Sequence, residues 1–261
     1  MTQRHFIELD GIRLSYLDFG GSGAPLLALH GHFGCARMFA GLADALRDSW
    51  RVIALDQRGH GWSDDPGEFS RESYIRDAAQ VIDRLGLKPA IVLGHSLGGI
   101  NTYQIAARYP GHIRAMIVDE AGARTTGIPV FSTMEWKERF KSVKEVISFL
   151  EEKGFKAGDP YFLESLVEYE DGWGFRFNHA SLIQSQERIK GDWWADWLGS
   201  DCPALLLNGH KSWALKTEHA REMAKRRPNT QLVEFPDCGH TIRDEDPEGY
   251  HKTVREFLQS L

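Results

Sequence analysis

Short apolar runs separated by polar, glycine-bearing turns set the rhythm of this chain. Leu26–Leu29, Val52–Leu55, Ile91–Leu93, Ala115–Val118, Ala204–Leu207 and Gln231–Phe235 are aliphatic stretches with little polar alternation. Runs of that kind read as strands buried on both faces, the pattern of a mostly parallel sheet sandwiched by helices. An amino-terminal pair, Phe6 to Glu8 and Arg13 to Asp18 about Asp10-Gly11, predicts a hairpin. Helical spacing at Ala36–Leu46, Tyr74–Leu85, Ile100–Arg108, Thr217–Arg226 and Pro247–Leu261 fills the gaps. The expected fold class is therefore α/β: an eight-stranded, mostly parallel sheet with helices on both faces.

One segment breaks the rhythm. Between Gly122 and about Ser200 no further sheet strand is expected. Helical patterns at Trp136–Glu152 and Tyr161–Tyr169 are followed by Trp173, Phe175, Phe177, Trp193, Trp194 and Trp197. The expected organisation is a core made of 1–122 and 201–261, interrupted after the sixth strand by a helical insertion at 123–200. Any single aromatic there is more often packing than pocket. As a group they read as the wall of an apolar pocket, with Trp136, Trp193 and Trp194 as candidate substrate contacts.

Composition narrows the function classes. A chain of 261 residues can bury a sizeable core as one domain with an insertion. The net charge of −6 gives no basic footprint, which argues against a nucleic-acid partner. No apolar run approaches the roughly 18 residues of a membrane span, and no secretory leader is read after Met1. Three cysteines, Cys35, Cys202 and Cys238, are a sparse odd set that fits a reducing cytoplasm. No C-x-x-C, H-E-x-x-H or G-x-G-x-x-G pattern is found, so neither a metal nor a nucleotide cofactor is indicated. The expected partner is a small molecule, with the chain a monomer or a homodimer.

The most specific signal is Gly94-His95-Ser96-Leu97-Gly98, placed between the apolar run Ala90–Leu93 and a helical stretch. G-x-S-x-G in that setting is a nucleophile elbow: a strained turn that projects a serine hydroxyl above a helix N-terminus. The backbone N–H of Leu97, the residue after the serine, then faces any developing oxyanion. A serine hydroxyl is a weak nucleophile near neutral pH and needs a base, for which the chain offers eleven histidines.

Three further motifs fall in order around the elbow: His30-Gly31-His32-Phe33-Gly34 after one strand, Asp56 to Asp64 after the next, and Pro236-Asp237-Cys238-Gly239-His240 after the last. With them the chain resembles the α/β-hydrolase superfamily, in its small esterase, lactonase and C–C hydrolase branch. The likeness runs from about Ile12 to the C-terminal helix and weakens between Arg124 and Asp201. It implies His240 as catalytic base, the His32 N–H as second oxyanion donor, and a cap at the insertion. Phe33, His95 and Trp213 are added as substrate contacts, and the His32 imidazole as a group that could also bond substrate. The segment Arg58 to Asp64 is read as a structural turn.

The triad acid departs from the common pattern. Relatives usually carry an aspartate shortly after the strand matching Ala204–Leu207, where this chain reads Asn208-Gly209-His210-Lys211-Ser212-Trp213. Some subfamilies, certain haloalkane dehalogenases and a fungal-type zearalenone lactonase among them, use a glutamate after the preceding strand. Counted from Tyr109-Pro110, Glu120 falls on that position. Asp119 and Glu120 point to opposite sides of the strand, so only one can face the histidine. Glu120 is the favoured acid, with Asp119, Glu218 and Asp237 as alternatives. The resemblance implies acyl transfer from a carboxylic ester or lactone. C–C bond hydrolysis, hydroxynitrile-lyase-like or dioxygenase chemistry, and a non-enzymatic small-molecule receptor remain open on the same scaffold.

Overall fold

The computed structural model describes residues 2–126, 135–156 and 158–261. The chain forms strands β1 (Gln3–Leu9), β2 (Ile12–Asp18), β3 (Ala24–Leu29), β4 (Trp50–Asp56), β5 (Ala90–His95) and β6 (Ile113–Asp119). Four short strands follow in the insertion, β7 (Arg124–Thr125), β8 (Leu166–Tyr169), β9 (Gly172–Phe175) and β10 (Gly191–Asp192), and then β11 (Ala204–Gly209) and β12 (Thr230–Phe235). One eight-stranded sheet has the order β1-β2-β4-β3-β5-β6-β11-β12. Every pairing from β4 to β12 is parallel, and only β2 runs against its neighbours. The first hairpin turns at Asp10 (φ 49°) and Gly11 (φ 80°), the left-handed pair that a two-residue turn demands.

The unbroken apolar runs have a direct cause: helices cover both faces. Leu27, Leu29, Ile53, Leu55 and Val92 pack on one side with Ile75 and Ile82 of helix Arg71–Arg84 and Ile100 of helix Leu97–Arg108. Their neighbours Leu26, Ala28, Val52 and Leu93 pack on the other with Leu42, Val254 and Phe257, from helices Ala40–Leu46 and Pro247–Gln259. The side-chain period of two thus serves two cores at once. Each fully buried Leu or Ile contributes about 1.5–3 kcal/mol to the balance against chain entropy.

The site is positioned by the strand order. The chain leaves β3 for β4 on one side and then returns to β5 on the other. Loops at the carboxyl ends of β3 and β5 therefore diverge and leave a crevice between them, the usual binding place of an open parallel sheet.

The insertion differs in part from the expected all-helical lid. The helix expected over Trp136–Glu152 starts only at Val143, where the Ser142 hydroxyl accepts the Glu145 N–H and caps it. Ahead of it Phe140 bridges to Trp173 as a strand residue. The helix expected over Tyr161–Tyr169 covers only Pro160–Leu163; Leu166–Tyr169 instead pairs antiparallel with Gly172–Phe175. Helices His179–Ile189 and Trp194–Trp197 complete the segment, and β10 pairs with β7. Positions 127–134 and 157 of the expected insertion lie outside the described residues. Among the described residues no helix is long and apolar enough to cross a membrane.

Candidate active site

Ser96 sits at the tip of β5 with φ 53° and ψ −115°, immediately before helix Leu97–Arg108. Left-handed backbone at a residue with a Cβ is strained by about 1–3 kcal/mol, and the turn is held by its surroundings. The Ser96 N–H donates to the Asp119 carbonyl at 2.9 Å and its carbonyl accepts the Ile100 N–H at 3.1 Å. Gly98 packs so close to β3 that a Cβ there would stand 2.1 Å from the Leu29 oxygen. Among the described residues four without a glycine's freedom adopt positive φ, and three of them, Phe33, Ser96 and Glu120, line one cleft. Clustered strain of this sort is a mark of functional geometry.

Glu120 follows β6 with φ 54° and is buried. Its Oε1 accepts the Gly209 N–H at 2.7 Å and the Asn208 amide at 3.2 Å. Its Oε2 accepts the Ser212 hydroxyl and lies 3.3 Å from His240 Nδ1. That separation is just beyond the 2.6–3.2 Å of a tight triad contact. Ser212 has no choice of direction, because its oxygen accepts the N–H groups of Ala214 (3.1 Å) and Leu215 (3.3 Å). The carboxylate is thus locked, and the Nδ1–H of His240 donates to it, leaving Nε2 with a lone pair.

The other acids are elsewhere. Asp119 is buried on the opposite side, where desolvation and then the Glu120 charge push its carboxyl well above the usual range. Asp237 is exposed and pairs with Lys211 at 3.2 Å. Glu218 lies in the exposed first turn of helix Thr217–Arg226. Arg124 pairs with Asp192 rather than with Glu120.

The remaining motif histidines are structural scaffolding around the cleft. His30 donates Nδ1–H to the Gly31 carbonyl at 2.7 Å and accepts the Gln57 N–H on Nε2 at 3.0 Å. His95, expected to touch substrate, is buried and turned away from the cleft. Its Nε2–H donates to the His240 carbonyl at 2.9 Å, and burial keeps it neutral by holding its pKa well below the usual value. The His32 imidazole is neither exposed nor aimed at a substrate. Its Nε2 bonds Ser185 Oγ at 2.8 Å and its Nδ1 the Gln186 amide at 3.1 Å, leaving only the His32 backbone for an oxyanion. His60 is also buried, and desolvation drives its pKa down to about 3.

Sequence reasoning missed Tyr161. Its hydroxyl donates to the His32 carbonyl and comes so near Gly31 that a Cβ there would stand 2.6 Å from Tyr161 Oη. The same Cβ would stand 2.9 Å from His95 Nδ1 and 3.0 Å from Ser96 Cβ. Asn208 and Ser212 were also passed over, although both belong to the loop where an acid was sought.

The cleft has a volume of about 880 Å³, the size of a small-molecule site. Ser96, Glu120 and His240 share it with His32, Phe33, Tyr161 and Trp213. Trp213 is half exposed, with its ring 4.5 Å from that of His240. Three expected wall residues do not line it. Trp136 lies in the aromatic core of the insertion, 5.2 Å from Phe149 and 5.5 Å from Phe175, with its free edge on a separate groove of about 250 Å³. Trp193 bonds the Ile189 carbonyl at 2.9 Å and packs on the main core. Trp194 is buried 3.7 Å beneath Arg226. Phe162 and Phe155 take the place in the wall that these tryptophans were expected to fill.

Comparison with known proteins places the chain in a family. A mouse sn-1-specific diacylglycerol lipase is 28% identical, over 96% of this chain and 87% of the lipase. A 2-(acetamidomethylene)succinate hydrolase from Mesorhizobium japonicum is 26% identical, over 92% of this chain and 90% of that protein. The crystal structure of an E-2-(acetamidomethylene)succinate hydrolase superposes with a TM-score of 0.88 at 24% identity, covering 99% of this chain and 100% of the other. The family model described as alpha/beta hydrolase fold matches residues 24–247. The chain belongs to the α/β-hydrolase family.

Proposed function

We propose that the protein is a serine hydrolase that cleaves a carboxylic ester or lactone through an acyl-enzyme, with Ser96, His240 and Glu120 as the triad. The observation that carries the reading is the locked carboxylate. Gly209, Asn208 and Ser212 hold Glu120 from three sides, and its one remaining direction is towards His240 Nδ1. That contact fixes the imidazole in the tautomer a serine needs, with Nε2 free to take the hydroxyl proton. The insertion at 123–200 acts as a lid over the cleft.

In the acylation step Ser96 Oγ attacks the carbonyl carbon while His240 takes its proton. The negative charge that develops on the carbonyl oxygen is met by the N–H of Leu97 and the N–H of His32. Leu97 is the first residue of its helix, so its N–H has no intrahelical acceptor, and the helix end adds favourable dipole. The peptide that follows His32 is held by Tyr161, whose hydroxyl donates to the His32 carbonyl. Each such donor is worth about 10²–10³ in rate where it has been removed from other enzymes. Protonated His240 then gives its proton to the leaving alcohol, Glu120 stabilising the imidazolium, and water repeats the sequence to release the acid.

Hydrolysis of a panel of p-nitrophenyl esters and lactones, in the native protein and Ser96→Ala, tests the reading. The native protein turns over at least part of the panel. Ser96→Ala loses on the order of 10⁴-fold or more, as in other triads. Turnover that persists in Ser96→Ala would remove the nucleophile from the scheme.

A further inference from the structure

The chain carries a net charge of −6, yet the cleft around Ser96 is ringed by cations: Arg124, Lys153, Lys211 and Lys216 all line it. Two of these are neutralised on the protein, Arg124 by Asp192 and Lys211 by Asp237. The other two are not. Lys216 Nζ bonds the Ser212 carbonyl at 3.2 Å, and Lys153 Nζ lies 5.3 Å above the Phe149 ring. Neither has a carboxylate within 4.0 Å among the described residues.

The acids of the same cleft are already engaged. Glu120 is held by its ring of donors. Glu245 accepts the Gly239 N–H at 2.8 Å and the Thr241 hydroxyl at 3.0 Å. Asp159 caps helix Pro160–Leu163 by accepting the Tyr161 N–H at 3.0 Å. Among the described residues the lysine charges therefore have no carboxylate partner in a concave site with apolar walls, where field lines from like charges are focused. Lys216 also touches the acid's anchor, four residues back along the chain: the residue whose carbonyl holds its ammonium, Ser212, is the residue whose hydroxyl holds Glu120.

We infer that the substrate carries a carboxylate besides the bond that is cleaved, and that Lys153 and Lys216 receive it at the cleft. The inference rests on the serine-hydrolase reading and names its substrate class: half-esters, or lactones with a pendant carboxylate. The lysines steer the anion into the cleft and hold it away from Glu120, whose own charge disfavours a carboxylate entering by the triad side.

Monoethyl succinate and ethyl succinamate form a matched pair that differs only in carboxylate against amide. At low ionic strength the native protein prefers monoethyl succinate in kcat/KM by about tenfold, the lower end of what focused charge does for association. The preference shrinks as salt is raised, because exposed charges are screened beyond a Debye length of about 8–10 Å. In the double variant Lys153→Met/Lys216→Met the ratio of the two kcat/KM values falls to about one, whatever the change in the rate common to both esters. Lys216→Arg retains the preference, as does Lys252→Met on the distant C-terminal helix. Calorimetric binding of succinate against succinamide, in the same variants, reads the anion site without turnover. Equal rates on both esters, or a preference that survives the double variant, would overturn the inference while leaving the nucleophile intact. If no ester turns over and Ser96 takes no fluorophosphonate, the hydrolase reading fails, and succinate binding still decides the anion site.

Discussion

Replacing Glu120 by glutamine tests the triad through its hydrogen-bond arithmetic. The carboxylate accepts from four donors: the Gly209 N–H, the Asn208 amide, the Ser212 hydroxyl and His240 Nδ1. Glutamine offers one oxygen and one NH₂ in the same volume. The Gly209 N–H is backbone, 2.7 Å away, and cannot turn. The amide oxygen must stay on it, which puts the NH₂ against Ser212 and His240. His240 then presents an Nδ1 lone pair to that NH₂ and carries its proton on Nε2, so it cannot accept from Ser96. The wrong tautomer costs up to about 10⁴-fold in other triads, or about 5.5 kcal/mol of transition-state stabilisation. The displaced Ser212 hydroxyl adds a stability loss of about 1–3 kcal/mol, the usual cost of one buried unpaired group. Steady-state kcat/KM on whichever ester the native protein turns over, alongside a thermal melt, reads both numbers. The expected result is a loss of about 10³–10⁴-fold with the melt lowered by only a few degrees. A folded Glu120→Gln enzyme within tenfold of native would refute the assignment and reopen Asp119, Glu218 and Asp237.

Other consequences follow from single contacts. His95→Asn cannot reach the His240 carbonyl, so activity falls about tenfold, the worth of one hydrogen bond, whereas His240→Asn abolishes it; a His95→Asn variant with unchanged activity would place the imidazole outside the positioning network. Gly31→Ala drives a methyl against Tyr161, His95 and Ser96, and kcat falls about 10²-fold or more, as for misplacement by an ångström, with the circular-dichroism spectrum unchanged; normal kcat would show the loop to be compliant. Asp119 is protonated in the fold at a pH where the unfolded chain, with its carboxyl near 3.9, has already ionised. The native state then binds more protons, so this group's contribution to stability falls as pH rises above about 4. Asp119→Asn removes that slope: urea midpoints of the two proteins should converge near pH 4 and separate in the variant's favour by pH 7. A variant less stable at both pH values would contradict the buried neutral acid.

Much of the core is written in local sequence. β5 is buried at every position, so its aliphatic run has no alternation to confuse it, and the glycines beside Ser96 are forced by close approach, Gly94 to Gly98 inside the turn and Gly98 to the Leu29 backbone of β3. Glu120 was expected because the resemblance puts a glutamate at its position, counted from Tyr109-Pro110; alternation said only that Asp119 and Glu120 face opposite ways. The anchors of Glu120 were not expected, because Asn208 and Ser212 matter only once β11 lies beside β6, a pairing between residues far apart in the chain. The insertion shows the opposite failure. Leu163, Leu166 and Val167 keep helical spacing, but the Asp171-Gly172 turn, with Gly172 at φ 132°, lets Leu166–Tyr169 fold back as a hairpin. The tryptophans misled for a related reason: an aromatic side chain fits a core and a cleft equally well, and only the packing partners of Trp136, Trp193 and Trp194 tell the two apart.

Covalent capture at Ser96 tests the central claim most directly. Native protein and Ser96→Ala are incubated with a fluorophosphonate, and intact mass and peptide mapping read the product. The account predicts one adduct per native chain, on the peptide containing Ser96, and none on the variant. A native protein that folds normally yet takes no adduct, or takes it at another residue, would contradict acyl transfer through Ser96.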